Sequence, residues 1–330
     1  MRQCWRNAIL AAAICETAMA QSAMRPVHTY SIVARDAKTG ELGVAVQSHW
    51  FSVGSLVTWA EAGVGAVATQ SFVDPAYGPR GLDLMRTGMP APDALRALVG
   101  ADAGEAVRQV AFIDAQGRVA AHTGSKCVDA AGQQVGKGYS VQANMMRNDA
   151  VVPAMAKAYE SAKGDLAERM LVALEAAQAA GGDIRGRQSA ALLVVKAQGS
   201  GRLWADRIVE LRVEDHAEPL VELRRLLTLH RAYNHMNEGD LAVEKEDMVS
   251  ALRHYQAAAR LVPGNVEMVF WHAVTLSSKG RVNEAVPLFR KVFAQDAAWA
   301  DLLSRLLKPG ILPDTPEGRA LVDRILKEAR

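Results

Sequence analysis

The side chains that most often carry chemistry are sparse in this sequence, and their spacing excludes several reaction classes. Eight histidines are scattered along the 330 residues, and no two sit at the helical spacing of a zinc-binding pair. A nucleophilic serine on a strand-to-helix elbow would read Gly-x-Ser-x-Gly, and that pattern is absent. Gly63-Val-Gly65 lacks the third glycine and the helix opening of a dinucleotide site. Three cysteines, Cys4, Cys15 and Cys127, are too few for a disulfide scaffold or a four-thiolate zinc site. Cys127, in Thr123-Gly-Ser-Lys-Cys127, has two readings. Lys126 beside it would lower its pKa and make it reactive. Buried, it would be a small apolar side chain. No metal and no cofactor is expected.

Bulk properties narrow the class further. The chain carries 38 Lys and Arg against 36 Asp and Glu, so the basic footprint of a nucleic-acid binder is missing. Half the residues are hydrophobic and 22% are charged, which is globular composition. The length suggests about two domains. Residues 1–20 read as a secretory signal peptide: Arg2 and Arg6, an apolar run from Ala8 to Cys15, then Ala18-Met19-Ala20 before a cut at Gln21. The rival reading is an apolar N-terminal helix. A lipoprotein is excluded because Ile14, not a small residue, precedes Cys15. Export removes Cys4 and Cys15 and leaves Cys127 unable to form an internal disulfide. No later stretch is apolar for about 18 residues without charge, so no membrane span is expected in a periplasmic or secreted mature chain.

The elements that would position any site follow from the hydrophobic pattern. Tyr30–Ala34 and Leu42–Gln47 form a hairpin across the turn Asp36–Gly40. Leu56–Ala60 and Gly63–Thr69 continue as strands, apolar nearly throughout, as in a sheet covered on both faces. Helices are expected at Gly81–Thr87 and Pro92–Val99, then a hairpin of Gln109–Ile113 and Arg118–His122, then a strand at Tyr139–Ala143. Val151–Ala162 and Leu166–Ala180 read as longer helices, the second closed by Gly181-Gly182. Ser189–Lys196 and Ile208–Val213 return to strand, giving an α+β domain over 29–213.

From residue 217 to 330 the pattern is helical only. Ala251, Tyr255 and Pro263 recur as Ala285, Phe289 and Ala297, an offset of 34 residues that resembles tetratricopeptide repeats. About two repeats are visible, too few to stand alone, so this tail is expected to pack on the first domain or on a second copy of the chain.

Long blocks of the first domain match one family in order. Thr29-Tyr-Ser-Ile-Val-Ala-Arg-Asp36 opens the match, followed by Gly43-Val-Ala-Val46, Ala62 to Gln70, Tyr77-Gly-Pro79 and Arg108-Gln109. Thr123-Gly124 with Cys127, Ala130-Ala-Gly132, Gly181-Gly-Asp183, Arg185-Gly186 and Gln188 to Val194 complete it. Over about 29–213 the chain resembles the family catalogued as domain of unknown function 1028, which itself looks like a branch of the N-terminal nucleophile hydrolases. Similar members carry a helical-repeat tail.

The resemblance implies a four-layer αββα sandwich of two face-to-face antiparallel sheets. It also implies hydrolysis of a C–N amide bond in a small amide or peptide, by a first-residue hydroxyl whose own α-amine takes its proton. Thr29 is the counterpart of that nucleophile; otherwise it simply starts a strand. Asn144 would donate to an oxyanion. Arg35 and Asp36 would orient the amine, Ser48 would lie near it, and Asp183, Arg185, Gln188 and Ser189 would bind a polar substrate. The rival reading of each of these supporting side chains is a turn or structural polar group. The sequence departs from the pattern in one respect: Gln21–His28 separates the expected cut from Thr29, and Pro26-Val-His28 is a poor signal-peptidase site. A second cleavage is needed to free Thr29. Without it, the expectation is a catalytically silent exported adaptor that binds a protein partner through its helical tail. In either case the purified exported chain should begin at Gln21 or later when sequenced from its N-terminus, and full-length protein retained in the cytosol contradicts export.

Overall fold

The computed structural model describes residues 29–329. The expected signal peptide and the segment 21–28 lie outside the described residues. Thr29–Arg35 (β1) and Leu42–Ser48 (β2) form the expected hairpin, with Asp36 Oδ1 accepting from the backbone N–H of Lys38 at 2.7 Å and of Thr39 at 3.0 Å to close the turn. Gly54–Val57 (α1) is a single helical turn where a strand was expected to begin, and Thr58–Glu61 (β3) supplies the strand. Gly65–Ser71 (β4), Tyr77–Arg86 (α2), Ala91–Gly100 (α3), Arg108–Asp114 (β5) and Val119–Thr123 (β6) follow. Gly132–Gly136 (β7) was not legible, because Gly132-Gln-Gln-Val-Gly136 shows no apolar alternation. Its pairing with Tyr139–Ala143 (β8) makes it a strand. Val151–Ser161 (α4), Leu166–Ala179 (α5), Ser189–Val195 (β9), Leu203–Asp206 (α6) and Arg207–Val213 (β10) complete the mixed region.

Two antiparallel sheets result, ordered β10-β9-β2-β1-β8-β7 and β3-β4-β5-β6. Strand alternation divides their side chains cleanly. Tyr30, Ile32 and Ala34 of β1 point outward under α4 and α5, while Val33, Val44, Val46, Ala66, Ala111 and Ile113 fill the space between the sheets. Val67, Val110 and Phe112 face α2 and α3 on the far side. Both faces of each sheet are therefore covered, which explains strands that are apolar nearly throughout.

The helical region begins with Pro219–Glu244 (α7) and continues through Met248–Leu261 (α8), Val266–Ser278 (α9), Val282–Phe293 (α10), Ala298–Arg305 (α11) and Pro316–Ala329 (α12). Ala251, Tyr255, Ala285 and Phe289, the residues that recur in sequence, are all buried. Gly239 of α7 is required there, since a Cβ on it would stand 2.5 Å from Cε1 of Tyr255. Leu220, Leu223 and Leu227 of α7 belong to the core beneath the larger sheet. Arg224 pairs with Glu168 and Glu175, and Arg231 with Asp165 and Glu168. The boundary expected between residues 213 and 217 thus falls just before a helix that both regions share. Among the described residues no helix is long and apolar enough to cross a membrane.

Leu223→Ala should cost the sandwich about 2–5 kcal/mol, because it empties a fully buried site. Leu241→Ala, on the exposed side of the same helix, should change stability by less than about 0.5 kcal/mol. Urea unfolding of the two variants checks the difference.

Candidate active site

At one end of the sandwich the apolar core gives way to a polar seam. Along the inner face of β1 the sequence runs Val33, Ser31, Thr29, and all three are fully buried. Register places Thr29 opposite Ser48 of β2 and Ser48 opposite Ser189 of β9, so three hydroxyl residues stand in a row at the strand ends. The Thr29 hydroxyl donates to Ser48 Oγ at 3.2 Å. Across the gap, β4 contributes Gln70 and β5 contributes Gln109, each two residues from an inward-facing alanine. Gln70 Nε2 donates to the Thr29 carbonyl at 3.1 Å and to Gln109 Oε1 at 2.6 Å, and Ser31 Oγ donates to Gln70 Oε1 at 2.6 Å. Gln142 of β8 donates to Ser31 Oγ at 2.6 Å. Asn144, just past β8, donates its backbone N–H to the Thr29 carbonyl at 3.1 Å and its side-chain amide to Gln109 Oε1 at 2.8 Å. These groups are out of water, where an unmade hydrogen bond costs about 1–3 kcal/mol, so the seam holds together only as a connected set.

Beside the seam, the α5–β9 loop folds back onto the end of β2. Gly181 and Gly182 adopt φ of 127° and 60°, which lets the chain leave α5 and turn at once. Asp183 is buried and accepts from the backbone N–H of His49 at 3.2 Å and of Arg185 at 2.9 Å, while the Arg185 guanidinium meets it at 2.7 Å. Tyr30, next in chain to Thr29, bonds Gln47 and also Gln178, the latter at 3.1 Å. Burial, with the Asp183 carboxylate adding to it, pushes its phenol well above the usual range, so it acts as a neutral donor.

A family model described as "Family of unknown function (DUF1028)" matches residues 29–223. The chain belongs to this family. The DUF1028 chain is also similar in structure to the crystal structure of protein SPO2555 from Silicibacter pomeroyi, itself assigned to DUF1028, at 31% identity and a TM-score of 0.55. That likeness covers 61% of this chain and 84% of the other. No curated protein matches it.

Of the residues singled out in sequence, the DUF1028 fold gathers Thr29, Ser48, Asn144, Asp183, Arg185 and Ser189 at one end. Ser189 serves the β2–α1 loop there, accepting from Val53 N–H at 3.1 Å and donating to the Trp50 carbonyl. Gln188 donates its backbone N–H to the Ser48 carbonyl at 3.1 Å, but its side chain turns to Asp215 at 3.2 Å. Arg35 and Asp36 must be corrected: they sit at the opposite end of the seven-residue β1, about 20 Å from Thr29. Neither can orient an amine there. Asp36 instead closes the hairpin turn and meets Arg169 at 3.1 Å. Although burial opposes it, the N–H groups of Thr39 and Lys38 and the Arg169 charge hold its carboxyl below the usual range. Cys127 is buried, and that burial raises its thiol pKa, so the reactive reading loses its support. Among the described residues no group of three or more His, Cys, Asp or Glu could hold a metal.

Gln70, Gln109 and Gln142 were not assigned roles from sequence, and Ser31 was only the alternative nucleophile to Thr29. For Gln70 and Gln109 the signal was a polar residue at an inward position of a strand whose other inward residues are apolar. Gln70→Leu should destabilise the chain by on the order of 3 kcal/mol, because it takes one donor from the Thr29 carbonyl and the acceptor from the Ser31 hydroxyl proton together. Gln188→Ala should stay within about 0.5 kcal/mol, and urea unfolding separates the two.

Proposed function

We propose that this chain is the precursor of an exported amide hydrolase of N-terminal nucleophile type, with the four-layer αββα sandwich of that class and a tetratricopeptide-like tail. The observation that carries the reading is Thr29 itself. It is the first residue of a central strand, its hydroxyl is on the inner face 3.2 Å from Ser48 Oγ, and its peptide is gripped by Gln70 and Asn144.

Once the bond between His28 and Thr29 is broken, the new α-amine, with an ordinary pKa of roughly 7.7–8.0, stands beside its own hydroxyl. It takes the Thr29 Oγ proton as that oxygen attacks an amide carbon, and the Asn144 side-chain amide donates to the oxyanion. The amine then protonates the leaving nitrogen as the C–N bond breaks. Water attacks the resulting ester and gives a proton to the same amine, the bond between the acyl carbon and Thr29 Oγ breaks, and the amine returns that proton to Oγ as the acid leaves. Asp183, Arg185 and Ser48 bind polar groups of the substrate. No cofactor enters.

A second reading is an exported adaptor, catalytically silent, that binds a protein partner through its helical region. The complete burial of Thr29 favours it for the uncleaved chain. Cleavage of a panel of small acyl-amides and peptides distinguishes the two. A chain starting at Thr29 should exceed one starting at Gln21, Thr29→Ala should lose activity by orders of magnitude, and Thr29→Ser should keep part of it. Because the amine works deprotonated, the rate should rise with pH through roughly 7 to 9. A Thr29→Ala chain as active as wild type defeats the hydrolase reading.

A further inference from the structure

The larger sheet is closed on one side and open on the other. At the closed side β7 meets β6 of the facing sheet, with Gln133 Nε2 donating to the Ala121 carbonyl at 2.9 Å. At the open side β10 is the edge, and no described strand pairs with its outer backbone. Such an edge is a template for pairing, and proteins normally guard it with charge. β10 does carry charge, at Arg207, Glu210 and Arg212. What matters is how those charges meet when the strand is paired with itself.

Val209, Leu211 and Val213 stand on the face that α7 covers, in register with Val194, Leu192 and Ala190 of β9. Glu210 and Arg212 stand on the other face, over Leu193 and Ala191. Opposed residues in a continuous antiparallel sheet share a face, so a two-fold axis between two copies must pass through a residue. An axis through Glu210 sets Glu210 on Glu210, and one through Arg212 sets Arg212 on Arg212. An axis through Val209 sets Glu210 against Ile208. The axis through Leu211 alone, within 209–212, sets each Glu210 against Arg212 of the second copy, Val209 against Val213, and Leu211 against Leu211.

Exposed apolar side chains flank this strand at both ends. Leu203 and Trp204, 59% and 79% exposed, come just before β10. Phe51, 62% exposed, stands at the other end, where Ser52 N–H donates to the Glu214 carbonyl at 2.9 Å. A two-fold axis through the strand exchanges its ends, so Leu203 and Trp204 of one copy approach Phe51 of the other.

We propose that two copies of this chain associate through β10, antiparallel about Leu211, extending the larger sheet across the dimer. The interface combines main-chain hydrogen bonds, two Glu210–Arg212 pairs that set the register, and apolar contacts at each end.

Light scattering on the eluting full chain, at micromolar concentration, tests this. Wild type should elute at twice the chain mass. Glu210→Arg and Arg212→Glu each bring like charges together and should weaken association by roughly tenfold or more. The double exchange E210R/R212E restores opposite charges at both positions and should recover the dimer, with all variants melting near the wild-type temperature. Leu211→Cys, which leaves the charges intact, should give a disulfide-linked dimer on mild oxidation, since the native Cys127 is buried. A monomeric wild type, single variants that remain dimers, a folded double variant that stays monomeric, or a soluble dimer of the Leu211→Cys chain that fails to cross-link would each overturn the proposal.

Discussion

The side chain of Gln70 ties the two sheets together where the rest of the site depends on them. From one buried amide it reaches the Thr29 carbonyl, the Ser31 hydroxyl and Gln109, and so joins β1 of one sheet to β4 and β5 of the other. Apolar contacts set only the distance between sheets. A hydrogen-bonded amide also fixes their sliding register, because a shift of two residues toward the core would put Ala68 or Ala111 where Gln70 or Gln109 now stands. The first residue of β1 is thereby held at one place in the sandwich, with its hydroxyl aimed along the inner face.

A second coupling runs outward. Through Leu220, Leu223 and Leu227 the first half of α7 completes the core under β9 and β10, and Arg224 and Arg231 clamp it to α5. Its second half starts the helical region by receiving Tyr255 of α8 against Gly239. One helix therefore serves two cores, and the helical region is oriented by the sandwich rather than tethered to it by a linker.

Much of this was legible in residue order. Two apolar runs on either side of the Asp36–Gly40 turn marked the β1–β2 hairpin, and Gly181-Gly182 marked the end of α5, because those signals are local. The seam was legible only in part. Thr29 and Asp183 stood out through family-like blocks and Asn144 by following a strand, whereas Gln70 and Gln109 owe their role to a partner sheet that sequence spacing does not reveal. Arg35 and Asp36 misled for a related reason: they are neighbours of Thr29 in chain order, yet an extended strand carries them to its far end. β7 escaped because Gln133 and Gln134 are held by pairing with β8 rather than by any pattern of their own.

The proposed role of Thr29 is tested most directly by covalent labelling. A β-lactone presented to a chain verified to begin at Thr29 offers a strained carbonyl. Attack by Thr29 Oγ opens the ring and leaves an ester on that oxygen, while the former ring oxygen takes the proton. Peptide mass spectrometry should find the lactone mass on the N-terminal peptide, at Thr29, and nowhere in the Thr29→Ala chain. A lactone adduct on Cys127 or another side chain, with Thr29 unmodified, would contradict the account.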